Sequence, residues 1–124
     1  MEIALWVAQV LLALAFVAAG FQHAFRFDQF SASPRMAWAA DVGRPNMRVI
    51  GLLEIAGAIG LVLPALTGIL PWLTPVAAAA LALLMLSAAI FHARRGEFSG
   101  IVPNAALGAI ALFIAWGRFV AAPF

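Results

Sequence analysis

The chain has 124 residues, 66% of them hydrophobic and 10% charged, with a mean hydropathy of +1.08. A soluble domain of this length needs roughly a quarter of its residues charged to cover its outside, so the composition excludes a water-soluble globule and makes lipid the solvent. With no cysteine, disulfides, thiol redox catalysis and thiolate metal sites are excluded as well. The net charge of +2 comes from arginine alone. Those arginines gather at the ends of apolar runs, which speaks for membrane topology and against nucleic acid as a partner.

The length sets a single domain, 1–124. Its first apolar run, 3–25, is interrupted only by Gln9, Gln22 and His23 and is long enough to cross the roughly 30 Å hydrocarbon layer. Ala18-Ala19-Gly20 resembles a signal-peptide cleavage site, but Met1-Glu2 lacks the positive n-region such a peptide wants, so a retained helix is expected. Residues 26–48 form the one long polar link. Within it, Ser33-Pro34 followed by Met36, Trp38 and Ala39 predicts a short helix lying at the membrane interface, against an ordinary polar loop.

A second span, 49–66, carries one ionisable residue, Glu54, and is expected to close at Pro64 and Thr67-Gly68. A third, 72–92, has Pro71 and Pro75 at its start, where a missing amide donor costs least. The fourth, 101–119, has Pro103 near its beginning and Arg118 near its end. The expected fold is all-α, a polytopic membrane protein built as a compact four-transmembrane-helix bundle, with no inverted repeat of the transporter kind.

Four spans put the first and third links on one side, with Arg26, Arg35, Arg44, Arg48, Arg94 and Arg95, and leave only Arg118 on the other. The positive-inside rule then places the long first loop in the cytoplasm and both termini outside, in a bacterial inner (plasma) membrane. Trp6, Trp72 and Trp116 fall at the outer boundary and Trp38 at the inner one, as an aromatic belt requires.

Glu54 is the leading functional candidate. An ionised carboxylate in hydrocarbon is costly, so it must face the bundle, find a donor or be protonated. Gln22 and His23 on the first helix, His92 on the third and Asn104 on the fourth approach the same level, and Arg48 lies six residues before Glu54. The expected inward stripes are Ala8, Leu12, Ala15, Ala19 and His23; Gly51, Glu54, Gly57 and Ala58; Leu81, Met85, Ala88 and His92; and Asn104, Gly108, Ala111 and Ala115. The polar cluster reads either as structural, through a salt bridge or interhelical hydrogen bond, or as a ligand-binding or proton-relay site. Two imidazoles and a carboxylate could in principle bind zinc or iron, but no local ligand spacing fixes two of them in advance, so no metal and no cofactor is assigned. Phosphate loops, dinucleotide fingerprints and serine elbows are absent. Asp28 and Asp41 read as solvated loop carboxylates.

The stretch from Arg48 to Pro64, with Glu54 followed by Gly57, Gly60 and a terminal proline, resembles the second helix of the DoxX-like family of small four-helix membrane proteins. Ala19-Gly20 before the first link, and Met85 to His92 leading to Gly96-Glu97, extend the resemblance over nearly the whole chain. It implies four helices and, for some relatives, a role as membrane partner in thiosulfate or sulfide oxidation or in oxidative-stress systems that contact quinones. Three functions follow as expectations. The first is an accessory subunit or binder of a lipophilic molecule, a quinone or lipid. The second is a membrane oxidoreductase subunit that uses the Glu/His cluster for proton transfer. The third is a small transporter or channel formed as a homo-oligomer. Membrane lipids and a respiratory or redox protein are the partners these readings bring with them.

Overall fold

The computed structural model describes residues 1–124. In chain order it contains α1 (Glu2–Phe25), α2 (Phe27–Ser31), a 3-10 turn (Pro34–Met36), α3 (Trp38–Val42), α4 (Arg44–Thr67), α5 (Leu73–Arg94), α6 (Phe98–Trp116) and a π turn (Gly117–Ala121) that prolongs α6. Four helices are long and apolar enough to cross a membrane: α1, α4, α5, and α6 with its π turn. The protein is an all-α membrane protein with a four-helix transmembrane bundle. Large apolar side chains such as Leu11, Leu14, Leu53, Leu83 and Leu112 point outward, the arrangement expected where lipid replaces water.

α4 starts at Arg44, five residues before the start expected from hydropathy. Pro45 stands in its first turn and Gly43, at φ 95°, breaks the chain just before it, so the polar residues Arg44 and Arg48 are helical rather than part of the link. Pro64 lies inside this helix, which closes at Thr67-Gly68 as expected. Gly68 ends it in the left-handed region at φ 71° with its N–H on the Pro64 carbonyl. Proline has no N–H to give the carbonyl four residues back, here that of Gly60. The Thr74 hydroxyl of α5 donates to the Gly60 oxygen at 3.0 Å and fills that vacancy from the neighbouring helix.

α1 packs chiefly on α4 and α5 on α6, so the bundle is two tight hairpins joined mainly along α4 and α5. Leu12, Phe16, Leu61, Leu81, Met85 and Ile114 form the core between them. The inward face of α1 is Leu5, Gln9, Leu12, Phe16, Gly20 and Ala24, one residue round from the alanine stripe expected. Phe16 fills the core and Gly20 makes the close backbone contact with α4, which turns Ala15 outward and leaves His23 at the edge of the face. On α4, Gly51, Glu54 and Ala58 are buried as that stripe predicts; so are Leu81, Met85 and His92 on α5, and Ala111 and Ala115 on α6.

The long link folds into three short helical pieces rather than one. Trp38 does not stand in a lipid-facing belt: it is half-buried, with Phe30, Phe91 and His92 against its ring.

Candidate functional site

At the end of the bundle covered by the long link, the helices spread around a cavity of about 980 Å³. Its wall includes Gln22 and His23 from α1, Met47 and Glu54 from α4, Met85 and His92 from α5, and Asn104 and Leu107 from α6. Phe30 and Trp38 come down on it from the link.

Glu54 is 2% exposed. Its Oε1 shares a hydrogen bond of 2.5 Å with His23 Nδ1, while Oε2 makes none within the protein. The antiparallel helix pair explains the meeting. Side chains on a helix lean toward its N-terminus; α1 and α4 run in opposite directions, so His23 leans back over Gly20, Glu54 leans back over Gly51, and the two converge. A buried carboxylate is tolerable in this setting because it has a charge-compatible partner and a polar cavity beside it.

His92 is 4% exposed and lies on the opposite wall. Its ring rests directly on Gly100 of α6, where a Cβ would stand 2.8 Å from the ring atoms. His92 Nδ1 pairs with Glu97 Oε1 at 3.1 Å. Gly96, at φ 71°, turns the chain so that Glu97 folds back onto the histidine five residues before it. Arg95 donates from Nε to the same Glu97 oxygen at 2.9 Å and from Nη2 to Asp41 Oδ2 at 2.7 Å. A continuous chain of polar contacts therefore runs from buried His92 through Glu97 and Arg95 to Asp41 on α3. Desolvation pushes the Glu97 carboxyl up, but hydrogen bonds from His92 and Arg95 outweigh it and hold the group below its ordinary value. The Glu97 bond, followed by the one to Asp41, holds the Arg95 guanidinium above its own.

Aromatic edges join the two histidines across the cavity mouth. His23 packs on Phe30 at 4.6 Å, Phe30 on Trp38 at 5.9 Å and Trp38 on His92 at 4.8 Å between ring centroids, each edge to face. The link is thus a lid whose underside is aromatic, held to the α5–α6 turn by Asp41 and Arg95. Asp28 pairs with Arg44 on the outside of the same link. Asp28 and Asp41 are solvated, as the sequence suggested, and each also carries an ion pair.

The remaining candidates fall in different places. Gln22 is exposed at the rim, and Asn104 lines the cavity while its amide donates to the Gly100 carbonyl of its own helix at 2.9 Å. Arg48 does not join the cluster: its Nε reaches the Ala24 carbonyl at 3.4 Å and its guanidinium lies over Phe25, so it covers the end of α1. No three His, Asp or Glu side chains converge as metal ligands; each imidazole is engaged by a different carboxylate. Phe30, Trp38 and Glu97 were not picked out as site residues from the sequence, and only the family-like Gly96-Glu97 after His92 offered a signal for the last of them.

At the other end of the bundle a second buried polar group escaped sequence reading. Arg118, 2% exposed, donates from Nε to Gln9 Oε1 at 2.9 Å and from Nη1 to both Glu2 oxygens at 2.6 Å. Gln9 in turn donates to the Leu61 carbonyl at 2.7 Å. Phe124 stacks on the guanidinium at 4.1 Å. This network ties α1, α4 and the π turn together.

Residues 7–114 match the family described as DoxX-like family. No curated protein and no solved structure matches the chain. The chain belongs to the DoxX-like family.

Proposed function

We propose that this DoxX-like membrane protein is an accessory component that binds the polar head of a lipophilic molecule, a quinone or a lipid, in the cavity beneath the long link. The observation that carries the reading is the Glu54–His23 pair: a 2%-exposed carboxylate with one oxygen on an imidazole and the other without a protein partner, in the wall of a 980 Å³ cavity. A bilayer-embedded charge is expensive to keep, and a cavity of this size with few convergent polar groups in a mostly apolar wall has the make-up of a ligand site. His92 on the opposite wall supplies a second polar anchor, and Trp38 and Phe30 supply faces for a flat ring.

A second reading rests on the His92–Glu97 pair, which connects the cavity wall to the surface of the α5–α6 turn. In that reading the protein is an oxidoreductase subunit, and the two His–carboxylate pairs move protons to and from the bound head. The core of Leu12, Phe16, Leu61, Leu81 and Ile114 fills the bundle on the far side of the cavity, which speaks against a path through one monomer. The arginine asymmetry supports a cytoplasmic position for the lid and outward-facing termini in a bacterial inner membrane.

The test is to purify wild type and Glu54→Gln in mild detergent and identify the lipophilic molecules that remain bound by mass spectrometry. Gln keeps the shape and a hydrogen-bonding group but cannot carry the charge. The reading expects a defined molecule retained by wild type and lost from the variant. Equal retention of bulk lipid by both overturns it.

A further inference from the structure

A second hollow, of about 470 Å³, opens between α4 and α5. Leu53, Ala56 and Gly57 form one side and Ala80, Leu84 and Ser87 the other. Ser87 donates its hydroxyl proton to the Leu83 carbonyl of its own helix at 3.0 Å, so the groove offers a guest no side-chain donor. Leu84 and Ser87 also line the large cavity. The two spaces therefore share a wall segment, one polar and aromatic, the other almost wholly apolar.

Their levels in the bundle differ. The cavity reaches from the level of Glu54 to the end carrying the link, while the groove lies at the middle of α4 and α5. It sits on the seam between the two hairpins, which are each packed tightly within themselves and meet mainly here. Ala56 and Ala80 are exposed along it and leave it shallow-walled.

From this arrangement we infer that the ligand is a single-tailed amphiphile that enters sideways from the lipid between α4 and α5, with its head in the cavity at Glu54 and His92 and its hydrocarbon tail in the α4–α5 groove. This rests on the head-binding reading of the cavity and adds the route and the tail. An amphiphile in the adjoining leaflet already lies with its head toward the interface and its chain toward the midplane, so it passes into the two spaces without turning over. A lid tied down by Asp41 and Arg95 lies over the alternative approach from water. A groove in the size range of ordinary ligand pockets holds one chain, and a tail in it is removed from competition with free lipid only if the head is held next door.

The experiment uses two probes with the same dimethoxybenzoquinone ring, one bearing a decyl tail and one a methyl group. Binding is read as quenching of Trp38 in a protein whose Trp6, Trp72 and Trp116 are replaced by Phe. Ala80→Phe and Ala56→Phe each fill the groove from an exposed position on opposite walls. The expected result is that both weaken the decyl probe by about tenfold or more, because each ring overpacks the space the chain would fill, while the methyl probe binds as before. Loss of both probes in one groove variant marks a folding defect in that variant, and the other then decides. Unchanged decyl binding in the groove variants overturns the tail assignment. If Glu54→Gln still weakens both probes in that case, the head-binding reading survives by itself. Failure of the decyl probe to quench Trp38 in the unsubstituted cavity overturns both.

Discussion

Gly20 of α1 and Gly51 of α4 meet backbone to backbone: a Cβ on Gly20 would stand 2.6 Å from the Gly51 carbonyl oxygen, and one on Gly51 would stand 2.5 Å from that of Gly20. Lipid tails give helices no hydrophobic reason to associate, so close packing between small residues carries much of the association. The same contact sets how near α1 comes to α4 one turn away, where His23 reaches Glu54. Packing and site geometry are here one feature.

Gly51→Leu accordingly forces the hairpin apart. Overpacking of this kind costs about 1–3 kcal/mol. The variant is expected to unfold at lower denaturant in mixed micelles and to lose whatever molecule the wild type retains, although His23 and Glu54 are both intact. Ala18→Leu, on the exposed face of α1, is the control and should match wild type in both measurements. A Gly51→Leu protein with full stability would mean that the helices sit farther apart than described.

The lid contact has a pH dependence with a definite sign. Glu97 holds its carboxyl below the ordinary value of 4.5 in the folded protein. What it contributes to stability is therefore complete above that value and is lost as pH falls through the lowered one. Arg95, raised from a value already far above neutrality, stays charged throughout. Compared with Glu97→Gln in thermal unfolding, wild type should keep a constant advantage from neutrality down to about pH 4.5 and lose it below. An advantage that persists in strong acid would show that the pairing with His92 and Arg95 is not its source.

Much of the bundle was legible because lipid imposes a blunt rule: each span must be long, apolar and helical. The boundaries were less so. Hydropathy saw the apolar stretch from Val49, but the helix starts where Gly43 and Pro45 permit it, one turn earlier. The end at Thr67-Gly68 was legible, but the sequence gives no sign that Thr74 of the next helix serves the carbonyl that Pro64 orphans. Glu54, His23 and His92 stood out by being ionisable among apolar neighbours, and the cavity brings all three to its wall. Phe30 and Trp38 did not stand out, since aromatic residues in a polar link read as interfacial anchors until the chain is folded over. The Arg118 network was hidden for a different reason: Glu2, Gln9 and Arg118 lie at opposite ends of the sequence, and each has an ordinary explanation at a helix end.

Topology can be checked with the cysteine-free chain itself. Six arginines lie on the side of the long link, and Arg118, the seventh, is buried against Glu2 and Gln9. The end with the termini thus presents no free arginine, which sharpens the asymmetry that orients the protein. Ser99 and Ile69 are both exposed, on opposite ends of the bundle. In intact cells a membrane-impermeant maleimide should label Ile69→Cys and leave Ser99→Cys unlabelled until the cells are opened. The reverse pattern would turn the protein over.

The Arg118 network predicts an order of effects that a simple count of lost bonds does not. The Arg118 side chain is wholly buried, whereas Glu2 is 56% exposed. Removing Glu2 leaves a buried cation with only the neutral oxygens of Gln9 and Ala122 as acceptors, and stranding a buried charge costs about 3 kcal/mol. Arg118→Met frees Glu2 to be solvated and strands only the Gln9 oxygen, a loss of about 1 kcal/mol. Glu2→Ala should therefore be the more damaging single change in unfolding measurements, and the double variant Glu2→Ala/Arg118→Met should be more stable than Glu2→Ala alone. If Glu2→Ala proves the milder variant, water reaches Arg118 and the network is a surface feature of the bundle end.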